Sequence, residues 1–418
     1  MSTIEIYLKE YKNQEIIDIS GSKNSSLPII ASSILCDEIV YLHNIPNIND
    51  VNNMLEIFNF LNIKFIFKNN SLIIYPKKFH KWNLDTDITN KLRGSYYFLG
   101  SLISKKSKAQ ISNIGGCNLG SRPINYHLNS FNKLGLSIEN LNKSIKIKGK
   151  IKSTEIDLDY PSMGASINII LASVKNKRKT KVIINNCAME PEVTDLCNFL
   201  NSMGAKISGI NTPTLVIESV KYLYSTNYTV ISDRIEAGTF LILGALHNGI
   251  KLKNVNTEHL ESILIQLKKI GCIIETKDNV LTLIPNKSKS ICIETKPYPG
   301  FPTDLAPQMS VLASQLNGFS TISETVYKER FSHISELKKL NINIIRDLNI
   351  SYIDGKQKII YNDSKLNCKD LRQGAALILA SSLSKTKVSL TNTSYIERGY
   401  EDIYNKLSKL GFVIKKKE

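Results

Sequence analysis

The segment GGCNLGSRP, which begins at Gly115, places a cysteine and an arginine in one glycine-rich stretch. Two glycines precede Cys117 and a third follows at Gly120, so the backbone there is free to approach a ligand closely. Arg122 lies five residues after the cysteine, where a cation can lower the pKa of the thiol or hold an anion. Taken alone, this spacing is better explained by a surface loop with an incidental free cysteine.

Cations also stand at the predicted start of two apolar helices. Lys23 and Asn24 open the first of them, in GSKNSSLP, and Arg93 heads the second. The helix dipole disfavours positive charge at this end and favours an anionic ligand. A solvated surface residue is the alternative at each position, and GSKN lacks the spacing of a Walker A loop. The placement therefore hints at an anionic ligand.

Asp304, in FPTDL, follows a proline-rich turn and precedes another apolar helix. A helix cap and a proton-accepting carboxylate are equally consistent with this position. Arg372 and Arg398 fall in later segments, and a guanidinium group binds two oxygens of a carboxylate or phosphate in a fixed fork. Considered singly, each arginine is better explained by a surface ion pair.

Internal repetition indicates which elements position these residues. An apolar helix, a polar break and a short strand recur six times, at a period of roughly 70 residues. The strands end at Asn44, Asn113, Asn185, Asn254, Glu324 and Asn392. After each of them comes a helix with leucines at helical spacing, which in most copies ends in a glycine, and then a strand with alternating apolar residues.

These repeats predict an α/β fold of two domains with three units each. The apolar helices are uniform enough to be buried on all sides, with the sheets outside them. We place the first domain at residues 22–231 and the second at 1–21 with 232–418. The first 21 residues are predicted to be strands that complete the last unit of the second domain. A cleft between two such halves is a preferred location for a ligand site.

Composition restricts the class of protein further. A chain of 418 residues with 42% hydrophobic and 22% charged residues is typical of a globular protein with more than one domain. No signal peptide is apparent, and the apolar stretches are too short to span a membrane, so we expect a cytoplasmic protein without a membrane partner. Seven cysteines without a CxxC pair argue against disulfides and zinc. We expect most of them, Cys292 included, to be buried.

The net charge of +17 raises the alternative of a basic repeat protein that binds RNA. Three lysine-rich runs, SKKSK, KNKRKTK and SKTK, each follow an apolar helix, where the helix dipole favours cations. We therefore interpret them as solvated surface and expect no nucleic-acid partner. An RNA-binding protein would show strongly salt-dependent retention on RNA and would leave Cys117 and Asp304 unexplained.

Nine motifs, taken in their order along the chain, resemble the UDP-N-acetylglucosamine 1-carboxyvinyltransferase family from end to end. The family fold is an inside-out α/β barrel pair of six units, in agreement with the repeats. The motifs are GSKNSSLP (21–28), GGCNLGSRPINYHL (115–128), PSMGAS (161–166), EPEVTDL (190–196), DRIEAGTF (233–240), PGFPTDLAPQ (299–308), ETVYKERFSHISEL (324–337), DLRQGAAL (370–377) and IERGYE (396–401).

The resemblance implies transfer of the enolpyruvyl group of phosphoenolpyruvate to the 3′-hydroxyl of UDP-N-acetylglucosamine, with release of phosphate. It implies that Cys117 supplies a proton to C3 and can attack C2, and that Lys23 contacts phosphoenolpyruvate. Asp304 would accept the proton of the 3′-hydroxyl. No metal or organic cofactor is suggested. A related enzyme that acts on shikimate 3-phosphate is the nearest alternative.

The resemblance also implies the remaining substrate contacts. Three of these positions, Asn125, Tyr160 and Met163, differ from the residues common in the family. These differences concern the nucleotide contacts and not the reaction. Substrate-binding residues by resemblance are Asn24, Arg93, Arg122, Arg372 and Arg398, with Pro123, Ile124, Asn125, Tyr126, Tyr160, Pro161, Ser162, Met163 and Val326 toward the nucleotide. Residues expected to be mainly architectural are Glu190, Asp233, Glu236, Asp370, His127 and His333.

Overall fold

The computed structural model describes residues 2–76, 79–112, 124–286 and 289–417. Three residues of the predicted site, Cys117, Arg122 and Pro123, lie outside these ranges. The α-helices of the described residues are α1 (Lys23–Ser33), α2 (Asn49–Phe60), α3 (Asp87–Asn90), α4 (Tyr97–Lys106), α5 (Asn125–Lys133), α6 (Met163–Ser173), α7 (Pro191–Ser202), α8 (Arg234–Leu246), α9 (Glu261–Lys269), α10 (Ala306–Ala313), α11 (Ser332–Leu337), α12 (Leu371–Ser381) and α13 (Ile403–Lys409).

The strands are short, and 3-10 helices occur beside several of the α-helices. The strands are β1 (Thr3–Leu8), β2 (Ile16–Asp18), β3 (Val40–His43), β4 (Lys64–Lys68), β5 (Ser71–Tyr75), β6 (Asn83–Leu84), β7 (Lys108–Ser112), β8 (Leu136–Asn140), β9 (Ser144–Gly149), β10 (Thr154–Asp157), β11 (Lys181–Asn185), β12 (Lys206–Ser208), β13 (Leu215–Glu218), β14 (Thr226–Thr229), β15 (Ile250–Lys253), β16 (Ile273–Lys277), β17 (Val280–Ile284), β18 (Cys292–Glu294), β19 (Phe319–Ser323), β20 (Ile344–Asp347), β21 (Ile350–Asp354), β22 (Leu366–Asn367), β23 (Val388–Thr391) and β24 (Phe412–Lys417). The 3-10 helices are Arg93–Tyr96, Glu258–Leu260, Thr303–Leu305, Lys338–Leu340 and Thr393–Arg398.

The described strands form four-stranded sheets that share one topology. In each sheet one edge strand is parallel to its neighbour, and the other two pairings are antiparallel. The strand orders are β14-β3-β5-β4, β6-β7-β9-β8, β10-β11-β13-β12, β2-β15-β17-β16, β18-β19-β21-β20 and β22-β23-β1-β24. Six sheets with the same order confirm the predicted α/β fold built from six repeated units.

Alternation along the strands sets which face of each sheet is buried. In β1, for example, Ile4 and Ile6 are buried whereas Thr3 and Glu5 are partly exposed. Side chains on a strand point alternately to opposite faces, so every second residue packs on the helices. One face of each sheet therefore covers a helical core, and the other meets solvent.

The chain divides into two compact units, each with its own core. Unit 1 contains the described residues of 2–20 and 232–417, and unit 2 contains those of 21–112 and 124–231. Helices α8, α10 and α12 lie in the core of unit 1, and α1, α4 and α6 lie in the core of unit 2. Every residue of α12 is buried. As the uniform apolar pattern predicts, these helices are surrounded by protein on nearly all sides.

Glycines allow the core helices to approach one another closely. A Cβ atom on Gly100 of α4 would lie 2.7 Å from the Asn168 carbonyl oxygen of α6, and one on Gly238 of α8 would lie 2.5 Å from Leu305. Neither contact tolerates a side chain larger than hydrogen. A glycine in each unit thus allows close spacing of the core elements.

The N-terminal strands complete two different sheets of unit 1. Strand β1 lies between β23 and β24 in the sheet of the sixth repeat. Strand β2 pairs in parallel with β15, in the sheet of the fourth repeat. We predicted a contribution to the sixth repeat only. The pairing of β2 with β15 was missed because β2 is three residues long and carries little pattern of its own.

One expectation about the cysteines is wrong. Cys292 is exposed, whereas Cys36, Cys187, Cys197, Cys272 and Cys368 are buried. Cys292 begins the edge strand β18, in which the central residue Ile293 takes the inward position. Its neighbours on the strand must then face outward.

The helices of the described ranges include none with the length and apolar character that a membrane span requires.

Candidate active site

Asp304 lies in the 3-10 helix Thr303–Leu305, directly before α10. It occupies the first turn of that helix and is not the cap residue of either helix, since those residues are Pro302 and Leu305. Instead, its two carboxylate oxygens accept one hydrogen bond each, from Arg330 Nη1 and from Arg372 Nη2, both at 2.7 Å. Asp304 is 22% exposed, whereas the two arginine side chains are almost fully buried. The carboxylate thus faces the open side of a buried cationic clamp.

The electrostatics of this clamp keep all three groups charged. Burial is the largest single influence and would lower the pKa of Arg330 and of Arg372, but the surrounding acidic groups, Asp304 foremost, together raise the pKa of both. Two buried guanidinium groups around one carboxylate favour the ionised form of the acid. The arrangement therefore holds a carboxylate in the state and orientation that a proton acceptor needs.

Arg330 was not singled out from the sequence, although it lies in the ETVYKERF segment. With Lys328 and Glu329 beside it, it resembles an exposed charged turn, and those two neighbours are indeed exposed. Nothing in the local pattern marks Arg330 as buried, because its partner Asp304 lies 26 residues away.

Glu324 ties the turn that carries Val326 to the same region. Its Oε1 accepts hydrogen bonds from the backbone N–H groups of Val326 at 3.0 Å and of Tyr327 at 2.8 Å. Its Oε2 accepts from the Thr303 hydroxyl at 2.7 Å, and Arg330 Nη1 also donates to that hydroxyl oxygen at 3.0 Å. Val326, predicted to contact the nucleotide, is thereby fixed close to the Asp304 clamp.

The remaining predicted arginines of unit 1 occupy neighbouring elements. Arg372 lies in the first turn of α12, which Asp370 caps by accepting from two backbone N–H groups at 2.9 Å. Arg398 ends the 3-10 helix Thr393–Arg398. That helix packs on α12, because a Cβ atom on Gly374 would lie only 2.6 Å from Ile396. The structure thus brings Asp304, Arg372, Val326 and the segment of Arg398 together within unit 1.

In unit 2, the predicted cations stand at the N-termini of two packed helices. Lys23 is the first residue of α1 and forms an ion pair with the buried Asp50 at 3.6 Å. Leu27, one turn further on the same face, lies against Gly94, where an added Cβ atom would be 3.0 Å away. Since Gly94 follows Arg93 directly, Lys23 and Arg93 belong to adjoining segments at one end of the core helices. Asn24, beside Lys23, is partly exposed.

His127 joins these segments to the predicted nucleotide residues. It is buried, its Nδ1 lies 2.9 Å from the Asn168 side-chain amide, and its ring lies 6.0 Å from that of Tyr96. Burial, with a smaller effect of the nearby Arg93 charge, lowers the pKa of His127 to about 4. A Cβ atom on Gly164 would lie 2.9 Å from the imidazole. The neutral ring is a packing element between α4, α5 and α6.

The described nucleotide candidates of unit 2 lie at the starts of α5 and α6. The rings of Tyr126 and Tyr160 are stacked with centroids 6.1 Å apart. Ser162 caps α6 by accepting from the Ala165 N–H at 3.4 Å, and Met163 begins that helix. The other described candidates surround this pair, with Asn125 exposed and Ile124 and Pro161 partly buried.

Two of the acidic residues expected to be architectural have structural partners. Asp233 caps α8 by accepting from the Ile235 and Glu236 N–H groups at 2.8 and 2.9 Å. Glu236 is buried and accepts from Lys406 Nζ at 2.7 Å and from the Ser20 N–H at 2.8 Å. In the described contacts, the cation that Glu236 binds is thus a lysine of α13 rather than a site arginine. Across the described ranges, no cluster of three histidine, cysteine or acidic side chains could hold a metal ion.

Comparison with known proteins identifies the family. The family model for EPSP synthase (3-phosphoshikimate 1-carboxyvinyltransferase) matches residues 9–407. A UDP-N-acetylglucosamine 1-carboxyvinyltransferase from Halothermothrix orenii is 41% identical over 403 residues, which is 96% of each chain. One from Thermotoga maritima is 37% identical over 399 residues, 94% of each chain.

Solved structures share the fold at lower identity. The enolpyruvyl transferase NikO from Streptomyces tendae superposes with a TM-score of 0.90 at 22% identity, over 99% of both chains. EPSP synthase from Acinetobacter baumannii does so with a TM-score of 0.76 at 16% identity, over 100% of both. Identities this low support the architecture alone, whereas the full-length relatives at 41% and 37% identity show the family. The chain belongs to the UDP-N-acetylglucosamine 1-carboxyvinyltransferase family, within the wider family that includes EPSP synthase.

Proposed function

We propose that this protein transfers the enolpyruvyl group of phosphoenolpyruvate to the 3′-hydroxyl of UDP-N-acetylglucosamine and releases phosphate. The observation that carries the proposal is the Asp304 carboxylate, partly exposed and held between Arg330 and Arg372. The names of the full-length relatives support the choice of acceptor. The product would be the first committed precursor of peptidoglycan, and the site of action would be the cytoplasm.

In this mechanism Asp304 accepts the proton of the 3′-hydroxyl as the hydroxyl oxygen attacks C2 of phosphoenolpyruvate. The ionised state that the arginine clamp favours is the one required for proton transfer. Because each carboxylate oxygen is anchored by an arginine, the carboxylate is held in a fixed orientation. The enzyme then loses little orientation entropy when the hydroxyl arrives.

Protonation of C3 by the Cys117 thiol makes C2 electrophilic, and addition of the hydroxyl gives a tetrahedral intermediate that carries the phosphate. Loss of a C3 proton and of phosphate then restores the double bond. Cations stabilise the charge on the phosphate and carboxylate during these steps. We assign this role to Lys23, Arg93, Arg122 and Arg398. Arg372 contributes through Asp304.

We further propose that the nucleotide lies against the starts of α5 and α6. Aromatic rings such as the stacked Tyr126 and Tyr160 offer flat surfaces beside a base or sugar. The N-terminus of α6, with Asn24 near the equivalent end of α1, provides backbone N–H groups for a diphosphate. Phosphoenolpyruvate and the sugar nucleotide are the partners that we propose, with no nucleic acid among them.

The decisive experiment measures phosphate release from phosphoenolpyruvate with UDP-N-acetylglucosamine or shikimate 3-phosphate as the acceptor. We expect release with the sugar nucleotide only. The Cys117→Ser variant, assayed beside the wild type, should lose most of that activity, whereas Cys292→Ser should retain it because Cys292 lies on an exposed edge strand. Release with shikimate 3-phosphate alone would reject the proposed acceptor, and a fully active Cys117→Ser protein would reject the role of the thiol.

A further inference from the structure

Arg372 has a second anchor besides Asp304. Its Nη1 donates a hydrogen bond to the Tyr400 hydroxyl oxygen at 3.3 Å, and its guanidinium carbon lies 5.7 Å from the centre of the Tyr400 ring. Tyr400 is buried, with 2% of its surface exposed. The two nitrogen ends of one guanidinium group are therefore held on opposite sides, by a carboxylate and by a phenol.

The directions of the hydrogen bonds around Tyr400 follow from the number of available protons. The Thr239 hydroxyl donates its single proton to the Ile235 carbonyl oxygen, 2.8 Å away within α8. It must then act as the acceptor toward Tyr400, whose hydroxyl lies 2.9 Å away. Tyr400 consequently donates to Thr239 and presents its lone pairs to Arg372.

Gln308 of α10 completes the surroundings of the phenol. Its side-chain amide donates to Thr239 Oγ1 at 3.2 Å and approaches the Tyr400 oxygen at 3.4 Å. Burial raises the pKa of Tyr400, against the opposing effect of the Arg372 charge, so the phenol stays protonated. A continuous, one-directional chain thus runs from Arg372 through Tyr400 and Thr239 to the backbone of α8.

We infer that Tyr400 is a positioning residue for the enolpyruvyl transfer, which acts by fixing the Arg372 guanidinium against Asp304. The inference rests on the proposed function. Among the residues assigned to substrate, Tyr400 contacts Arg372 in the described contacts. Its hydroxyl connects the guanidinium to the rigid backbone of α8, so that one of the two arginines that orient Asp304 is itself fixed to a core helix.

The test compares Tyr400→Phe with the wild type in the phosphate-release assay. Phenylalanine keeps the buried ring and removes the hydroxyl, so the core remains filled. We expect kcat to fall roughly 10- to 100-fold, the range corresponding to one hydrogen bond to a charged group. The matched control is Tyr11→Phe, since the Tyr11 hydroxyl is buried in the same unit without a hydrogen-bond partner in the described ranges. That variant should stay within about twofold of the wild type.

A double-mutant cycle with Arg372→Lys separates positioning from a general effect on folding. Lysine lacks the two-armed guanidinium group that bonds to both Asp304 and Tyr400. The Tyr400 hydroxyl should therefore lose its effect on kcat in the Arg372→Lys protein. Equal losses from Tyr400→Phe in both backgrounds, or no loss in either, would overturn the inference. Urea unfolding of the same four proteins should show coupling between the two positions, and additive free energies would count against the contact.

These readouts distinguish failure of the inference from failure of the proposed function. An active wild-type enzyme with an equally active Tyr400→Phe variant rejects the positioning role alone. A wild type that releases no phosphate with UDP-N-acetylglucosamine rejects the proposed function. In that case the unfolding cycle still decides whether Tyr400 fixes Arg372.

Discussion

The middle repeat of each unit begins its core helix in the same way but with opposite charge. In unit 2 the 3-10 helix Arg93–Tyr96 leads into α4, and in unit 1 the 3-10 helix Thr303–Leu305 leads into α10. The first supplies the cation Arg93, and the second supplies the acid Asp304. The same arrangement, a 3-10 helix that leads into a core helix, thus presents a guanidinium group in one unit and a carboxylate in the other.

The helices on either side show the same contrast. In unit 2, α1 and α6 are capped by the neutral Ser22 and Ser162, through bonds of 3.3 and 3.4 Å. In unit 1, α8 and α12 are capped by Asp233 and Asp370, each of which accepts two shorter bonds. Acidic caps neutralise the positive helix ends, whereas serine caps leave the dipole uncompensated. Unit 2 is therefore suited to attract an anion, and unit 1 to orient a carboxylate.

The largest effect should come from removing the charge of Asp304. Asp304→Asn keeps the size of the side chain but abolishes proton acceptance, and we expect kcat in the phosphate-release assay to fall about 1000-fold. The control is Asp37→Asn, because Asp37 also bridges two cations, Lys105 and Lys175, beyond the C-terminal end of α1. A kcat within tenfold of the wild type for Asp304→Asn would remove the assigned role.

A smaller loss is expected from Lys23→Gln in unit 2. We predict a fall of about 100-fold in kcat/KM for phosphoenolpyruvate, because a cation that binds the substrate is removed. Unfolding free energy should change by less than about 1 kcal/mol, since Lys23 opposes the dipole of α1 even though it pairs with Asp50. Lys105→Gln is the matched control at the opposite helix end, where the lysine donates to the Cys36 carbonyl and to Asp37. Lys105→Gln should lose stability and keep activity. A Lys105→Gln protein that lost activity and kept its stability would contradict the proposed difference between the two ends of α1.

Acid should destabilise the protein through its buried histidines. Burial lowers the pKa of His247 in unit 1 and of His127 in unit 2 to about 4, so the unfolded chain gains protons below pH about 6.5 that the folded protein does not. Stability is complete above that pH and falls until about pH 4. At pH 5 the loss is about 1 to 2 kcal/mol for each residue.

Urea unfolding at pH 7 and pH 5 measures this effect one residue at a time. His247→Gln preserves a group at the Nε2 position that faces Ser382, and His127→Asn preserves the Nδ1 acceptor for Asn168. Each variant should lose less stability than the wild type between the two pH values. Comparison at pH 8, where both histidines are neutral in either state, isolates the effect of packing. Unchanged pH dependence in both variants would contradict the assignment.

The smallest effect concerns the two kinds of helix cap. Asp370→Ala should cost about 2 kcal/mol of unfolding free energy, because one oxygen caps α12 and the other accepts from the Ser332 hydroxyl at 2.9 Å. Ser162→Ala, which removes a single long bond, should cost about 0.5 kcal/mol. Chemical denaturation of the two variants provides the measurement. Equal costs would show that the caps of the two units do not differ in strength.

The sequence predicted the architecture because its signal is repeated. Six copies of an apolar helix followed by a short strand specify a layered α/β fold even when single strands are ambiguous. The edge strands were harder, since β2 and β22 have only three and two residues and take their place from their partners. Their pairing is a property of the assembled sheet, not of the local pattern.

The candidate site was accessible from sequence only in part. Motifs located Asp304, Lys23 and Arg93 on helix starts, because caps and dipoles are local properties. Arg330 was missed because its burial depends on a partner 26 residues away, which no local pattern encodes. The same holds for Tyr400, whose three polar neighbours lie on α8, α10 and α12.

The position of β1 has a consequence for synthesis of the chain. This strand precedes all other described strands in the chain, yet its neighbours β23 and β24 are the last of the described strands to be translated. At about 5 to 20 residues per second, the delay is on the order of tens of seconds. Unit 2 contains all of its own strands by residue 229 and is free to fold in the meantime. Strand β1 therefore stays without its sheet neighbours for a defined interval, during which its edges are open to chaperones that shield unpaired strands.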